Sequence, residues 1–213
     1  MFGGYVSAVV SLPVAVLIGE TIARKAAATR LAEAGQAAAL AALSKASVTD
    51  DLTGLGNRRR ANALLDSLAE GDAIVILDLD HFKRINDTLG HHRGDQVLQE
   101  LGAFLLAEVR VTDAVARYGG EEFVIVVRAS EGVALEVTER VLDRWRALSP
   151  PVTLSAGLAV KRTGRQWTET FADADVALYE AKKAGRDRAV LFVAAEDVRP
   201  GPEAVRSPSS TER

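Results

Sequence analysis

The pattern of apolar and polar positions divides the chain into a compact centre and two unlike ends. In the centre, Ala61, Leu64, Leu65 and Leu68 recur at helical spacing, and Gly71 can end that helix. Residues 73–80 (AIVILDLD) form an apolar run fit for a buried strand that finishes in acids. The next stretch, with Asn86-Asp87 and Gly94-Asp95, reads as a loop leading into a helix start. Val97, Leu98, Leu101, Phe104 and Leu105 then mark a second helix. Residues 114–127 read as two strands around a Gly-Gly turn. Val137, Val141 and Trp145 mark a third helix, which Pro150-Pro151 ends. Residues 152–160 suit a strand, Phe171, Leu178 and Ala181 mark a fourth helix ending near Gly185, and residues 189–193 a last strand. The pattern contains no internal repeat.

The ends carry a different texture. Residues 1–19 hold no charge, and with Gly3, Gly4 and Pro13 they make a borderline candidate for a membrane span, which needs about 20 apolar residues. Arg24, Lys25 and Arg30 follow at once and would leave the downstream chain on the cytoplasmic side, so the expectation is a cytoplasmic domain with a candidate anchor in the cell membrane. An apolar helix packed on a partner, or the last span of a longer membrane region, fits the same residues. Residues 20–48 are Ala-rich and lack proline, which predicts a helical linker. Leu31, Leu40 and Leu43 make no sustained heptad, so this linker is a candidate dimerisation helix rather than a strong coiled coil. Residues 49–195 form the folded domain, and 196–213, rich in Pro, Ser and charge, form an expected disordered tail.

Composition narrows the chemistry. The 213 residues are 48% hydrophobic and 26% charged, an ordinary globular balance. Lys and Arg total 26 against 29 Asp and Glu, a net charge of -3, which removes the basic field that nucleic-acid binding would need. The absence of cysteine excludes disulfides, thiolate metal sites and a thiol nucleophile, and three histidines leave little room for a His-rich metal site.

The acids at strand ends are the first candidates for chemistry. Asp78 and Asp80 sit where the apolar strand runs out, on one side of a regular strand, with Leu79 on the other. Glu121 and Glu122 follow Gly119-Gly120 at the hairpin tip and cannot both face one way. Unpaired carboxylates are too costly to bury, so such acids lie at a sheet edge or share a cation. Oxygen-only ligands favour Mg²⁺ or Mn²⁺, especially where phosphates complete the shell. A solvated acidic turn explains any single pair equally simply. Asn86 and Asp95 suit the edge of a guanine base, or else helix capping. Lys83, Lys182 and Arg186 can donate to phosphate, or remain solvated surface charges. Arg110 and Asp113, three apart, would be neighbours on a helix end, where a simple ion pair is the alternative.

Five stretches together carry more. DDLTGLGNRRR (50–60), LDLDHFKRINDTLGHHRGD (77–95), RVTD (110–113), ARYGGEEF (116–123) and ALYEAKKAGRDR (177–188) occur in the order found in GGDEF-domain diguanylate cyclases, and the chain resembles that family over about residues 48–195. The hairpin reads GGEEF, a variant the family accepts. The resemblance implies an α/β (α+β) fold, a mixed and mainly antiparallel sheet flanked by helices and related to the palm of polymerases and nucleotide cyclases. It implies condensation of two GTP molecules into cyclic di-GMP and two pyrophosphates, each 3′-hydroxyl attacking the other α-phosphate.

Site roles follow from the same resemblance. Asp78, Glu121 and the Leu79 carbonyl match the metal ligands, Mg²⁺ or Mn²⁺, and Glu122 matches a second acidic position. Either glutamate is a candidate base for the 3′-hydroxyl. Gly119 and Gly120 let the hairpin backbone approach the nucleotide. Asn86 and Asp95 match the guanine readers. Lys182 and Arg186 match the donors to the terminal phosphates, helped by backbone amides near His81 and Phe82, and Lys83 matches a transition-state support. Arg110 and Asp113 match an RxxD site where cyclic di-GMP binds and inhibits. One such site holds one GTP, so catalysis implies a homodimer, and residues 20–48 gain a role in presenting the domains as a pair. The alternatives are a non-catalytic cyclic di-GMP receptor and a structural dimerisation module.

Overall fold

The computed structural model describes residues 17, 19–36 and 47–194. The chain divides into two units, Met1–Ser47 and Val48–Arg213. In the first, residue 17 and the helix α1 (19–36) are exposed along their length. Residues 20–36 of the stretch expected as a linker are helical, while the rest of the candidate membrane segment, residues 37–46 and the expected tail lie outside the described residues. Among the described residues, no helix is long and apolar enough to cross a membrane.

The second unit is built on β1 (Ala73–Leu79), whose seven residues are all buried. A strand buried on both faces needs a near-continuous apolar run, which AIVIL supplies, with Asp78 the one polar residue near its end. It pairs antiparallel with β3 (Glu122–Val127) on one side and with β4 (Leu154–Val160) on the other. The strand β2 (Ala114–Gly119) joins β3 antiparallel as a hairpin, and β5 (Ala189–Leu191) joins β4 in parallel. The sheet order is β2-β3-β1-β4-β5, mixed and mainly antiparallel, as expected.

Side-chain alternation along β1 separates two cores. Ala73, Val75, Leu77 and Leu79 pack with Phe82 and Ile85 of α3 (Phe82–Leu89), Val97, Leu98, Leu101 and Leu105 of α4 (His91–Glu108), and Val137, Val141 and Trp145 of α5 (Glu131–Ala147). The buried Trp145 indole satisfies its N–H on the Val152 carbonyl at 3.0 Å. Ile74 and Ile76 face the other way, against Leu65 of α2 (Arg58–Asp66) and Ala174 and Leu178 of α6 (Trp167–Lys183). At Gly157 of β4, a Cβ would lie 2.2 Å from the Ala174 carbonyl oxygen and 2.2 Å from the Leu178 nitrogen, so α6 lies directly on the strand backbone there. That close approach places the end of α6 beside the end of β1.

One element differs from the sequence expectation. Residues 82–89 form the helix α3, where a loop was expected. Its apolar face, Phe82, Ile85 and Leu89, is too short to register as periodic. His81, at φ 57, turns the chain sharply out of β1 into this helix.

Candidate active site

The apolar strand stops at Leu79, and the candidate side chains collect around that end. Asp78 shares the parity of Ile74 and Ile76, so it faces α6, where Lys182 in the last turn meets it with Nζ 2.9 Å from Oδ2. Glu122 is the cross-strand partner of Asp78 in the β1–β3 register and therefore points to the same face. Gly120 and Glu121 form the tip between Gly119 and Glu122, with Gly120 at φ 45, a left-handed position that suits glycine. The Leu79 amide faces the Glu121 carbonyl oxygen at 3.4 Å. Glu121 lies in the turn and Glu122 in the strand, and the charges of Asp78 and Lys182 act on both.

The electrostatics of this cluster favour a cation. Burial pushes the Asp78 carboxyl above the usual range, against the hydrogen bond and charge of Lys182, and the Asp80 charge adds to the rise. Burial and then the Asp78 charge push Glu121 up, opposed by Lys182. Glu122 is raised by the same two causes and by Asp175, opposed by Lys182 and Arg58. Among the described residues, no group of three or more His, Asp or Glu converges as a protein-only metal cage. Mg²⁺ typically binds through one or two carboxylates plus substrate phosphates, so hard oxygen donors in this number fit such an ion.

The guanine candidates lie on the opposite side of the sheet. Gly90, at φ 82, turns α3 into α4, and the resulting helical corner sets Asn86 of α3 against the first turn of α4. A Cβ on Gly94 would fall 1.9 Å from Asn86 Oδ1, so a glycine is what lets the amide lie there. Asp95, next in sequence, is exposed on the same turn. The Phe82 ring is buried in the core, which leaves only its backbone for the role expected of it. Lys83 is exposed on the first turn of α3. Arg186 follows α6, with Nε 4.0 Å from Asp80 Oδ1.

Arg110 and Asp113 do not lie on a helix end. They occupy the turn between α4 and β2, where the Asp113 amide donates to the Arg110 carbonyl at 3.0 Å. Asp113 Oδ1 accepts from the Arg128 amide at 3.0 Å, while its buried Oδ2 has no partner among the described residues. The pair borders a groove of about 540 Å³ with Arg60, Leu106 and Val111. β2 runs from this turn to the hairpin tip, roughly 17 Å at strand rise, so the two candidate sites are separate.

Three anchoring groups carry no assigned role in the sequence reading. Arg117 donates to the Gly120 carbonyl from Nε at 2.9 Å and Nη2 at 2.7 Å, and its Nη1 lies 3.2 Å from Asp50 Oδ1. Burial pushes Asp50 up, but the Thr53 hydroxyl and amide and Arg117 together pull it below the usual range. Asp80, only 3% exposed, is enclosed by Thr153, Ser155 and Asp187. The Arg117 position, directly before the hairpin, was the available sequence signal. The partners of Asp80 are too distant in sequence to be read from it.

Comparison with known proteins fits this geometry. Residues 47–188 match the family described as "Diguanylate cyclase, GGDEF domain". The chain is 39% identical over 159 residues to diguanylate cyclase DgcP of Pseudomonas aeruginosa, covering 66% of this chain and 23% of that protein. It is 38% identical over 163 residues to response regulator PleD of Caulobacter vibrioides, covering 67% of this chain and 36% of the relative. The chain therefore spans a quarter to about a third of these relatives. The crystal structure of the GGDEF domain of DgcB from Caulobacter crescentus in complex with c-di-GMP superposes with a TM-score of 0.65 at 30% identity, over 69% of this chain and 94% of that one.

Proposed function

Because the chain belongs to the GGDEF-domain family of diguanylate cyclases, we propose that it condenses two GTP molecules into cyclic di-GMP and two pyrophosphates. The observation that carries this is the facing set of Asp78 and Glu122 on paired strands with Lys182 opposite, at the end of a strand whose other face leads to Asn86 and Asp95.

In this reading, Asn86 and Asp95 hold the guanine edge on the α3–α4 side. Lys182 and Arg186 hold the terminal phosphates on the α6 side, with the backbone amides that open α3 adding donors. Lys83 meets charge developing at the transferred phosphoryl group. Asp78, Glu121 and the Leu79 carbonyl would hold Mg²⁺ or Mn²⁺, with Glu122 beside them. Such an ion supplies charge neutralisation and a more acidic 3′-hydroxyl. The raised affinity of Glu121 and Glu122 for protons suits either as the group that takes the hydroxyl proton. Gly119 and Gly120 leave the hairpin backbone open to the nucleotide.

One domain offers one nucleotide site, and the attacking hydroxyl belongs to a second GTP, so turnover requires two copies face to face. Arg110 and the unpartnered Asp113 oxygen supply a separate site for the product, at which cyclic di-GMP slows turnover. The full chain with GTP and Mg²⁺ should yield cyclic di-GMP, Glu121→Gln should abolish the yield with the melting transition intact, and Arg110→Ala should relieve product inhibition. Retained activity in Glu121→Gln overturns the metal-site reading. Binding of cyclic di-GMP without any turnover favours the receptor reading, and absence of both nucleotides from the protein leaves only a structural module.

A further inference from the structure

We propose that Asp80, together with an Arg146–Asp187 clamp, is a positioning device that sets Arg186 for the terminal phosphates of the nucleotide. The inference rests on the phosphate-binding role given to Arg186 above, and it concerns residues that do not themselves reach the substrate.

The backbone after α6 turns through three consecutive left-handed positions, Gly185 at φ 111, Arg186 at φ 64 and Asp187 at φ 50. Two of these are not glycine. Such positions persist only where the surroundings over-determine them. Here three contacts do so from three directions. The Arg186 amide donates to the Ala181 carbonyl of α6 at 3.0 Å. The Asp187 amide donates to Asp80 Oδ2 at 3.1 Å. Arg146 of α5 reaches Asp187 Oδ1 from Nε at 2.8 Å and the Asp187 carbonyl from Nη2 at 2.7 Å.

Asp80 is built to serve this corner. It is the first residue beyond β1, and its own amide donates to the Thr153 carbonyl at 2.9 Å. The Thr153 hydroxyl, just before β4, donates to Oδ2 at 2.7 Å, and the Ser155 hydroxyl, in β4, donates to Oδ1 at 2.7 Å. Burying a carboxylate is costly unless its charge is used. The charge facing Asp80 is Arg186, with Nε 4.0 Å from Oδ1, beyond a direct hydrogen bond. Among the described residues the Arg186 guanidinium donates to no other group, and its side chain is 41% exposed. The carboxylate therefore orients the guanidinium and leaves its donors for a ligand. Asp80 fixes the corner from inside the sheet edge, and Arg146 fixes it from the outer helix.

The test uses the full chain with Mg²⁺ and two probes, 3′-deoxy-GTP, which lacks the attacking hydroxyl, and GMP, which lacks the terminal phosphates. Asp80→Asn keeps the shape and removes the carboxylate charge 4.0 Å from Arg186, leaving the charge of Asp78. Arg146→Met loosens the corner from a partly exposed position on α5 and serves as the second variant if Asp80→Asn fails to fold. Each should weaken 3′-deoxy-GTP binding about tenfold, the scale of a weakened charge-assisted contact, and leave GMP binding unchanged. In turnover, KM for GTP should rise by the same factor with kcat little changed. In an Arg186→Ala background, neither substitution should weaken binding further, as expected when one residue acts through another. Equal losses for both probes, or losses that add to that of Arg186→Ala, would overturn the proposal. If Arg186→Ala weakens 3′-deoxy-GTP while both positioning variants bind normally, the proposal fails and the role of Arg186 stands. If Arg186→Ala itself binds normally, the role of Arg186 falls and the proposal falls with it.

Discussion

Gly94→Ala is the most discriminating single perturbation of the guanine side. On most helices this exchange stabilises the chain by about 0.5–1 kcal/mol through backbone entropy. Here the new Cβ would stand 1.9 Å from Asn86 Oδ1 and 3.2 Å from Phe82 Cζ. Real contacts of a Cβ do not fall below 3.0 Å, so the amide must retreat by at least about 1.1 Å. Asn86 is the end of a half-buried side chain and can swing outward, so the fold absorbs the clash by giving up that amide position. A hydrogen bond has a working range of about 0.5 Å in donor–acceptor distance, and a shift of this size breaks it. Losing two bonds at about 0.5–1.5 kcal/mol each amounts to about 1–3 kcal/mol, or roughly 5- to 150-fold in affinity. The expected signature is a higher KM for GTP and a smaller preference for GTP over ATP, with a melting temperature that holds or rises. Initial rates against both nucleotides and a thermal melt measure all three. An unchanged KM and unchanged base preference would refute the placement of Asn86 as a guanine reader. A steep fall in melting temperature would show instead that the Phe82 contact carries the strain.

The remaining predictions concern the sheet and the hairpin. Gly157→Ala forces a Cβ onto two backbone atoms of α6 at 2.2 Å, and overpacking of this kind should cost about 1–3 kcal/mol or more, seen as a fall in melting temperature of at least about 2 °C. Arg117→Met removes both donors from the Gly120 carbonyl and the partner of Asp50. It should destabilise the domain by about 2–3 kcal/mol and lower kcat more than guanine affinity. Asp78, Glu121 and Glu122 all hold protons more tightly when folded than when unfolded. The ligand-free protein therefore loses stability as pH rises from the ordinary carboxylate range through the raised values. Glu122→Gln should melt above the parent at neutral pH, and the difference should vanish in acid, where both forms are neutral; a gap that persists in acid would contradict the stated origin.

The sheet and the larger helices were legible because each is carried by a long apolar pattern. The run at 73–79 admits little but a buried strand, and the five-motif order then supplies the rest of the topology. The helix α3 was not legible, because its 8 residues offer only two turns of apolar spacing among polar groups. The facing of Asp78 and Glu122 follows from period-two alternation once β1 and β3 are paired, yet the pairing itself is a long-range fact. The RxxD residues were legible as a pair but not as a turn, since spacing of three fits both. Asp80 was visible as an acid on the parity of Asp78. Its partners lie 73, 75 and 107 positions away, and nothing local announces them.

Those long-range partners share a physical reason. Along β1 the apolar positions end at Ile76 on the α6 face and at Leu79 on the other, and in the proposed function the strand end beyond them must leave room for a charged ligand. More apolar packing there would cover the site, so geometry has to be fixed by polar contacts instead. The contacts observed are the charge-assisted ones: Arg117 to Asp50 and the hairpin carbonyl, Asp80 to the β4 hydroxyls and the Asp187 amide, Arg146 to Asp187. Arg117, Asp80 and Arg146 each join segments far apart in sequence, and each also bonds a backbone group beside a candidate ligand-binding side chain, the Gly120 carbonyl or the Asp187 amide or carbonyl. Partial burial strengthens them relative to surface ion pairs, and their directionality fixes a backbone position that a greasy contact would leave loose. In the proposed function, the precision of the site then depends on residues given no contact with the nucleotide. Variants at Arg117, Asp80 and Arg146 should for that reason lower kcat/KM, the first through kcat and the other two through KM, more than their effect on stability alone would account for.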